Sequence, residues 1–372
     1  DGLGVQRGPV REVARIGLVG CGYIARNAYV PFLRDAAECE IVACADAVES
    51  MAVDLARDFA ISTVCSVEEL LADPSIDVIL NLTHPAAHAA VNLAALSAGR
   101  HVYCEKPFAL TREEGRAVLA QAQSAGKLIG CAPDTVLGPG TQAARRAIEA
   151  GAIGRAVGAR LTWSSGGHEA WHPNPEFYYQ QGGGPMLDMG PYFLTALVHL
   201  LGPMKSVVGR VSRAHETRTV QSGSLRGREF IVLVPTHYSG VIEMVSGIHV
   251  LTMMSFDVPG APDTGTLPEV MGERGTLLSP DPNRFTGEFK TRSGGGEWEV
   301  SGSEFDYPSG RGLGLIDLVR AARRGGKPRA SGEIAYHVLD AMLAFEDSDR
   351  TGRRVDLEST CEKPDLVGEN GV

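Results

Sequence analysis

Arg15-Ile16-Gly17-Leu18-Val19-Gly20-Cys21-Gly22-Tyr23-Ile24-Ala25 is the stretch that decides the fold of this chain. Its first five residues form a β-rich apolar run that feeds directly into glycine, and Gly20 to Ala25 fits G-x-G-x-x-G/A. In that pattern the first glycine permits a tight turn and the second lets backbone approach a pyrophosphate. A small third residue lets the next helix pack close to the strand. Alone the pattern is weak. Here it follows a strand, opens a helix over Ile24–Leu33 that Pro31 interrupts, and precedes a second strand, Glu40–Ala45, that runs into Asp46. A carboxylate there accepts hydrogen bonds from ribose hydroxyls and repels a 2′-phosphate, and no Arg or Lys follows it at once. The pattern predicts a dinucleotide site at Gly20, Gly22, Tyr23, Ile24 and Asp46, with NAD favoured over NADP.

Outward from this stretch the alternation continues. Asp77–Leu82 and His101–Cys104 are further apolar strands, and Leu128–Cys131 is another; helices over Ala86–Ser97 and Arg112–Ala125 separate them. Continuous apolar strands separated by helices indicate a parallel sheet covered on both faces. After Pro133 the pattern changes. Strand-like runs at Val157–Ser164, Val207–Ser212, Phe230–Val234, Gly240–Val245 and His249–Phe256 follow one another with few helices between. Met186–Leu201, Leu315–Arg324 and Ile334–Glu346 read as helices, and Pro259–Thr266 and Tyr307–Gly314 as loops. The fold class is therefore α/β: an N-terminal Rossmann doubly wound parallel sheet, then an α+β domain with a large, mostly antiparallel open sheet. The predicted boundaries are an arm at 1–14, the Rossmann domain at 15–133 and the second domain at 134–372.

Composition sets limits on partners. Lys plus Arg number 35 against 45 for Asp plus Glu, a net charge of -10, which repels nucleic-acid phosphates and anionic lipid. No apolar run approaches the ~20 residues of a membrane helix, and Asp1–Arg15 lacks the apolar core of a secretory signal. The seven cysteines are odd in number, scattered and without a CxxC pair, as in a reduced protein. These features predict a cytoplasmic chain with no nucleic-acid or membrane partner.

Lys106 ends the strand His101–Cys104, at the sheet edge where ligands of open α/β sheets bind. Taken alone, Glu105-Lys106-Pro107 reads equally as a surface ion pair. Together with the glycine loop and Gly182-Gly183-Gly184-Pro185-Met186-Leu187-Asp188-Met189-Gly190-Pro191-Tyr192, it resembles the glucose–fructose oxidoreductase / inositol dehydrogenase (Gfo/Idh/MocA) family. The resemblance extends to Thr83 with His88, to Ile148–Gly154 and to Gly352–Asp356. It implies an NAD(P)-dependent oxidoreductase acting on a sugar, glycoside or cyclitol, assembled as a homodimer or homotetramer through the second domain's sheet. By position it implies Lys106 as the active-site lysine and Asp188 as a substrate contact. Many members carry His four residues after that Asp; this chain has Tyr192, as in the branch where Tyr is the acid/base. Thr83, His84, Glu105 and Lys106 join the expected cofactor contacts, while His88 either stabilises the start of its helix or touches the nicotinamide.

The chemistry suits those residue types. Hydride transfer at a carbinol carbon needs a proton moved on or off its oxygen, and Tyr, with an ordinary pKa near ~10, serves only beside a cation such as Lys106. Asp188 and Tyr192 are four apart on a predicted helix and share a face. Trp163, His168, Trp171, His172, Asn174 and Tyr178 mix aromatic faces with polar tips, which fits a sugar ring or the packing of a loop. One or two of His168, Trp171 and His172 are expected at the substrate. His168 and His172 have a metal-like spacing, but Gly and Pro around them argue against a shared helix, and no metal is expected. Two alternatives stand beside this reading: an enzyme that retains its cofactor and couples two sugar half-reactions, and a non-catalytic nucleotide-binding regulator.

Overall fold

The computed structural model describes residues 10–259 and 268–372. Most of the expected arm 1–14 and nearly all of the expected loop Pro259–Thr266 lie outside the described residues. The chain divides into two units. One comprises Asp1–Gly138, Tyr307–Tyr336 and Asp365–Val372; the other comprises Pro139–Asp306 and His337–Pro364.

The first unit holds a six-stranded sheet of β1 (Ala14–Val19), β2 (Cys39–Ala45), β3 (Thr63–Val64), β4 (Val78–Asn81), β5 (His101–Cys104) and β6 (Ile129–Cys131). The order is β3-β2-β1-β4-β5-β6 and every pairing is parallel. Strand order reverses between β1 and β4, and ligands of such sheets bind outside the carboxyl ends at that reversal. All residues of β4 and β5 are buried, as required of strands covered on both faces.

The interruption expected at Pro31 is taken up as one wide turn. Ala25–Tyr29 is π-helical, with Val30 N–H bonded to Ala25 O, and α1 (Val30–Leu33) follows with Pro31 in its first turn, where its missing N–H is tolerated. The wide turn leaves Tyr29 fully buried. Between the following strands run α2 (Glu49–Phe59), α3 (Val67–Ala72), α4 (His88–Ser97) and α5 (Arg112–Ala125). Capping boxes Ser66/Glu69 and Thr111/Glu114 start α3 and α5 by satisfying amides that have no partner within the helix. β3 and α3 go unanticipated in the sequence because β3 is two residues long with both side chains exposed, leaving no apolar pattern to read.

The chain returns to this sheet near its end. Cys131 N–H bonds to Ala330 O at 3.0 Å, Gly130 bridges Ser331, and the helix Leu313–Arg324 packs on β5 and β6. The parallel-sheet unit is thus built from three chain segments.

The second unit holds α6 (Pro139–Glu149), β7 (Ala156–Ser164), α7 (Gly184–Leu201), β8 (Met204–Ser212), β9 (Thr217–Thr219), β10 (Glu229–Ile231), β11 (His237–Met244), β12 (His249–Ser255), β13 (Glu269–Gly272), β14 (Gly275–Leu278), β15 (Phe289–Ser293), β16 (Glu299–Ser301) and β17 (Val355–Asp356). Nine of the strands form a sheet in the order β16-β15-β14-β13-β7-β12-β11-β8-β17, antiparallel except for the β7–β12 pair. The run Phe230–Val234 does not join it; β10 pairs with β9 as a separate ribbon. α7 packs on β7, β11 and β12, and from Gly190 to Leu200 it is buried without a break. Among the described residues no helix is long and apolar enough to cross a membrane.

Candidate functional site

In the parallel-sheet unit the glycine loop leaves β1 where strand order reverses. Gly20 has φ +97°, and a Cβ there would lie 2.6 Å from the Leu82 carbonyl carbon, so the turn itself demands glycine. Gly22 differs: a Cβ would meet nothing within 4 Å. Protein packing does not ask for glycine at that position, and the space left above the loop is what an approaching pyrophosphate requires. Asp46 accepts Cys21 N–H on Oδ2 (2.7 Å) and Val48 N–H on Oδ1 (2.8 Å), which fixes its carboxylate beside the loop. Each oxygen keeps a second lone pair for a ribose hydroxyl. Tyr23 is 80% exposed and Ile24 half-buried. These residues fit a dinucleotide.

At the carboxyl ends of β4 and β5 the expected contacts have internal duties. Thr83 Oγ1 donates to Asn81 Oδ1 at 2.7 Å, and His84 is exposed at the loop. The His88 ring is buried, with Nδ1 2.7 Å from Pro107 O and Nε2 2.9 Å from Thr83 O. Carbonyl oxygens only accept, so both nitrogens must carry hydrogen and the ring is an imidazolium. Burial opposes that charge, but negative charge on the neighbouring Cys104 sulfur and the two carbonyls prevail and push His88 up to about 9. His88 therefore ties the loop after β4 to the loop after β5. Neither ring nitrogen is left to meet a nicotinamide.

Glu105 is likewise spent inside the protein. Its Oε2 accepts Lys106 N–H at 2.8 Å and its Oε1 accepts the Tyr29 hydroxyl at 2.9 Å. Lys106 stands half-buried at the strand end, and the Lys106–Pro107 peptide is cis. Tyr29 is a participant the sequence reading missed; no motif marks it, and only the π turn carries it inward.

In the second unit, Gly184 at the start of α7 has φ +87°, and Gly183 has no room for a Cβ, which would lie 2.4 Å from Tyr178 O. The glycine run thus lets the chain before α7 pass close to its own backbone. Asp188 and Tyr192 follow one turn apart on α7, with Tyr192 buried. His168 Nε2 lies 3.1 Å from Asp188 Oδ2, with both side chains mostly buried. The His168 ring packs on Tyr178 (3.8 Å between centroids), Phe256 (4.6 Å) and Trp171 (5.2 Å). Its Nδ1 is buried with no hydrogen-bond partner among the described residues. Trp171 is 61% exposed, while His172 packs on Phe177 and Tyr178 and accepts Asn174 N–H on Nδ1. Burial draws His172 below its ordinary range and keeps it neutral.

A buried ionic clamp holds the His168 loop. Arg218 donates to Glu169 and to Asp257, and also to the carbonyls of Gly166 (3.2 Å) and Phe256 (3.1 Å). The Tyr179 hydroxyl donates to Glu169 and accepts His168 N–H at 3.1 Å. Glu169, Arg218 and Asp257 escaped the sequence reading because charges so far apart in the chain form no local pattern.

Comparison with known proteins agrees with this architecture. Residues 14–132 match the family model described as an oxidoreductase family with an NAD-binding Rossmann fold, and residues 141–278 match the GFO/IDH/MocA C-terminal domain. 1,5-Anhydro-D-fructose reductase of Ensifer adhaerens is 28% identical, over 93% of this chain and 99% of its own. D-apiose dehydrogenase of Paraburkholderia graminis is 27% identical over 92% and 89%. The apo structure of a levoglucosan dehydrogenase superposes with a TM-score of 0.80 at 22% identity, covering 94% of this chain and 100% of that one, and shares the fold. With both of its domains matched in order, the chain belongs to the GFO/IDH/MocA oxidoreductase family and carries that family's NAD-binding Rossmann domain.

Proposed function

We propose that this protein is an NAD-dependent oxidoreductase acting on a secondary alcohol, or the matching ketone, of a cyclic sugar or polyol. The observation that carries the reading is the His168–Asp188 pair, set in an aromatic niche one helical turn from Tyr192. The curated relatives named above act on small carbohydrates, one as a reductase and one as a dehydrogenase. When bound, the nicotinamide supplies the hydride chemistry, and the protein supplies placement and the proton.

In this reading Tyr192 is the general acid/base. A phenol of ordinary pKa near ~10 holds its proton at neutral pH and gives it up readily only when a cation favours the phenolate. Lys106 is that cation. Asp188, held by His168, orients a substrate hydroxyl. The exposed face of Trp171 suits the apolar face of the ring. Asp46 and the glycine-loop amides hold the dinucleotide. The protein also pairs with a second copy through the sheet face bearing Val208, Val241 and Leu251, which stand side by side in register, and sedimentation equilibrium tests that.

Absorbance at the reduced-nicotinamide band, followed with 1,5-anhydro-D-fructose, D-apiose and levoglucosan, tests the activity. Tyr192→Phe is expected to lower kcat by ~100-fold or more, the usual contribution of a general acid/base, with NADH still bound. Near-wild-type turnover by Tyr192→Phe refutes the assignment of Tyr192. Tight NADH binding with no turnover of any sugar favours a nucleotide-binding regulator.

A further inference from the structure

The loop Ser309-Gly310-Arg311-Gly312-Leu313-Gly314 joins the parallel-sheet unit from far along the chain. Its three glycines are packed to contact. A Cβ at Gly310 would lie 2.6 Å from the Phe32 ring, one at Gly312 2.8 Å from Leu33, and one at Gly314 2.4 Å from the Tyr103 hydroxyl. Asp134 Oδ2 pins the loop by accepting the N–H groups of Gly312 (2.9 Å) and Gly314 (3.0 Å). What this packing delivers is Arg311, whose Nη1 lies 3.9 Å from Glu105 Oε1 with both side chains largely buried. Glu105 and Asp134 are 7% and 0% exposed, so two carboxylates are buried near this one guanidinium.

We propose that Arg311 is a positioning residue for Lys106, acting through Glu105. A carboxylate so buried is costly unless a cation offsets its charge. Arg311 offsets Glu105 at Oε1, and the carboxylate receives Tyr29 O–H on that oxygen and Lys106 N–H on the other. Without the cation the buried charge stands uncompensated, the carboxylate turns toward water, and the Lys106 backbone loses its anchor. The 3.9 Å separation is too long for a two-pronged guanidinium–carboxylate contact, so charge matters here more than fork geometry. The inference rests on the proposed role of Lys106.

The test uses the full chain with NADH present and two readouts. One is the rate at which N-hydroxysuccinimidyl acetate acylates Lys106, relative to the other lysines, from peptide mass mapping. The other is kcat and KM with a sugar the wild type turns over. In Arg311→Met, Lys106 acylation is expected to quicken about threefold or more, and kcat to fall ~10- to 100-fold with KM little changed, the size of a lost charge-assisted hydrogen bond. Arg311→Lys is expected to restore both. A merely structural role would lower thermal stability and leave the Lys106 rate and the kcat of the folded protein untouched. Unchanged Lys106 reactivity in folded Arg311→Met overturns the proposal. If the wild type turns over no sugar, the proposed function fails, while the acylation rates still decide the role of Arg311. Should Arg311→Met not fold, Glu105→Gln removes the charge to be offset. Adding Arg311→Met to it is then expected to leave Lys106 reactivity where Glu105→Gln alone puts it, and a further change overturns the proposal.

Discussion

Replacing His168 with Leu isolates one interaction on which the proposed function depends. The imidazole sits in a niche of Tyr178, Phe256 and Trp171, which a Leu side chain can also fill, so little packing is lost. What disappears is the donor to Asp188 Oδ2, 3.1 Å away, on a carboxylate whose side chain is 15% exposed. A hydrogen bond to a charged acceptor is worth about 1.5–3 kcal/mol, and the slight exposure of Asp188 lets water restore part of it. With Asp188 orienting the substrate as proposed, the loss appears in the transition state, and about 1.5–3 kcal/mol corresponds to a fall in kcat/KM of ~10- to 100-fold. His168→Gln keeps an N–H donor near the same point and is expected to lose much less. Steady-state rates for the three proteins with one sugar, beside their NADH affinities, supply the comparison. The reasoning is refuted if the Leu protein stays within about twofold of wild type. It is equally refuted if Gln is as damaging as Leu, because donation to Asp188 would then be irrelevant.

The two loop glycines make an opposed pair. Gly20→Ala forces a Cβ against the Leu82 carbonyl at φ +97° and is expected to destabilise the protein by at least ~1–2 kcal/mol in urea titration, whereas Gly22→Ala, with open space around it, is expected to unfold like wild type yet bind NADH more weakly by isothermal titration. Stability should also fall in mild acid through His337, which accepts Met204 N–H and which burial draws down to about 4 despite Asp340 and Ser359 nearby. Between the ordinary histidine value near ~6.5 and that lowered one, the unfolded chain binds a proton the folded chain refuses, so stability present above the first is lost as pH falls toward the second, by up to about 3 kcal/mol. Urea midpoints from pH 7 to pH 4.5 check this, and His337→Gln should flatten the dependence.

The sequence was most legible where function and fold impose local patterns. Gly20, Gly22 and Asp46 lie within one β-turn-helix-β unit, and the structure sets them beside one another at the reversal of strand order. The strands β4 and β5 announced themselves because burial on both faces leaves an unbroken apolar run. By contrast β13 to β16 are strands of three to five residues containing Gly, Lys, Arg and Glu, and they hold their places through neighbours rather than through their own pattern. His88 shows a different limit. Its spacing marks the start of a helix, but the meaning of its ring comes from Pro107, a residue on another strand's loop. No periodicity in the chain carries that information.

The residues hardest to read share a physical logic. Lys106 is adjacent to Glu105, whose counter-charge Arg311 comes from the other end of the chain, and His168 is adjacent to Glu169, whose counter-charge Arg218 lies 49 residues away. Burying such pairs seldom adds net stability, because desolvation offsets most of the attraction, and apolar side chains of similar volume often serve as well. Stability alone is therefore a poor reason for either pair. Each charged group does, however, fix a backbone bearing a candidate functional side chain: Glu105 through Lys106 N–H, and Glu169 through the Tyr179 hydroxyl that receives His168 N–H. A long-range ion pair of this kind holds a backbone position against a single alternative, which apolar packing does less sharply. The cost in desolvation is borne where the angle of one lysine or one imidazole matters, and that is also where sequence spacing has least to say.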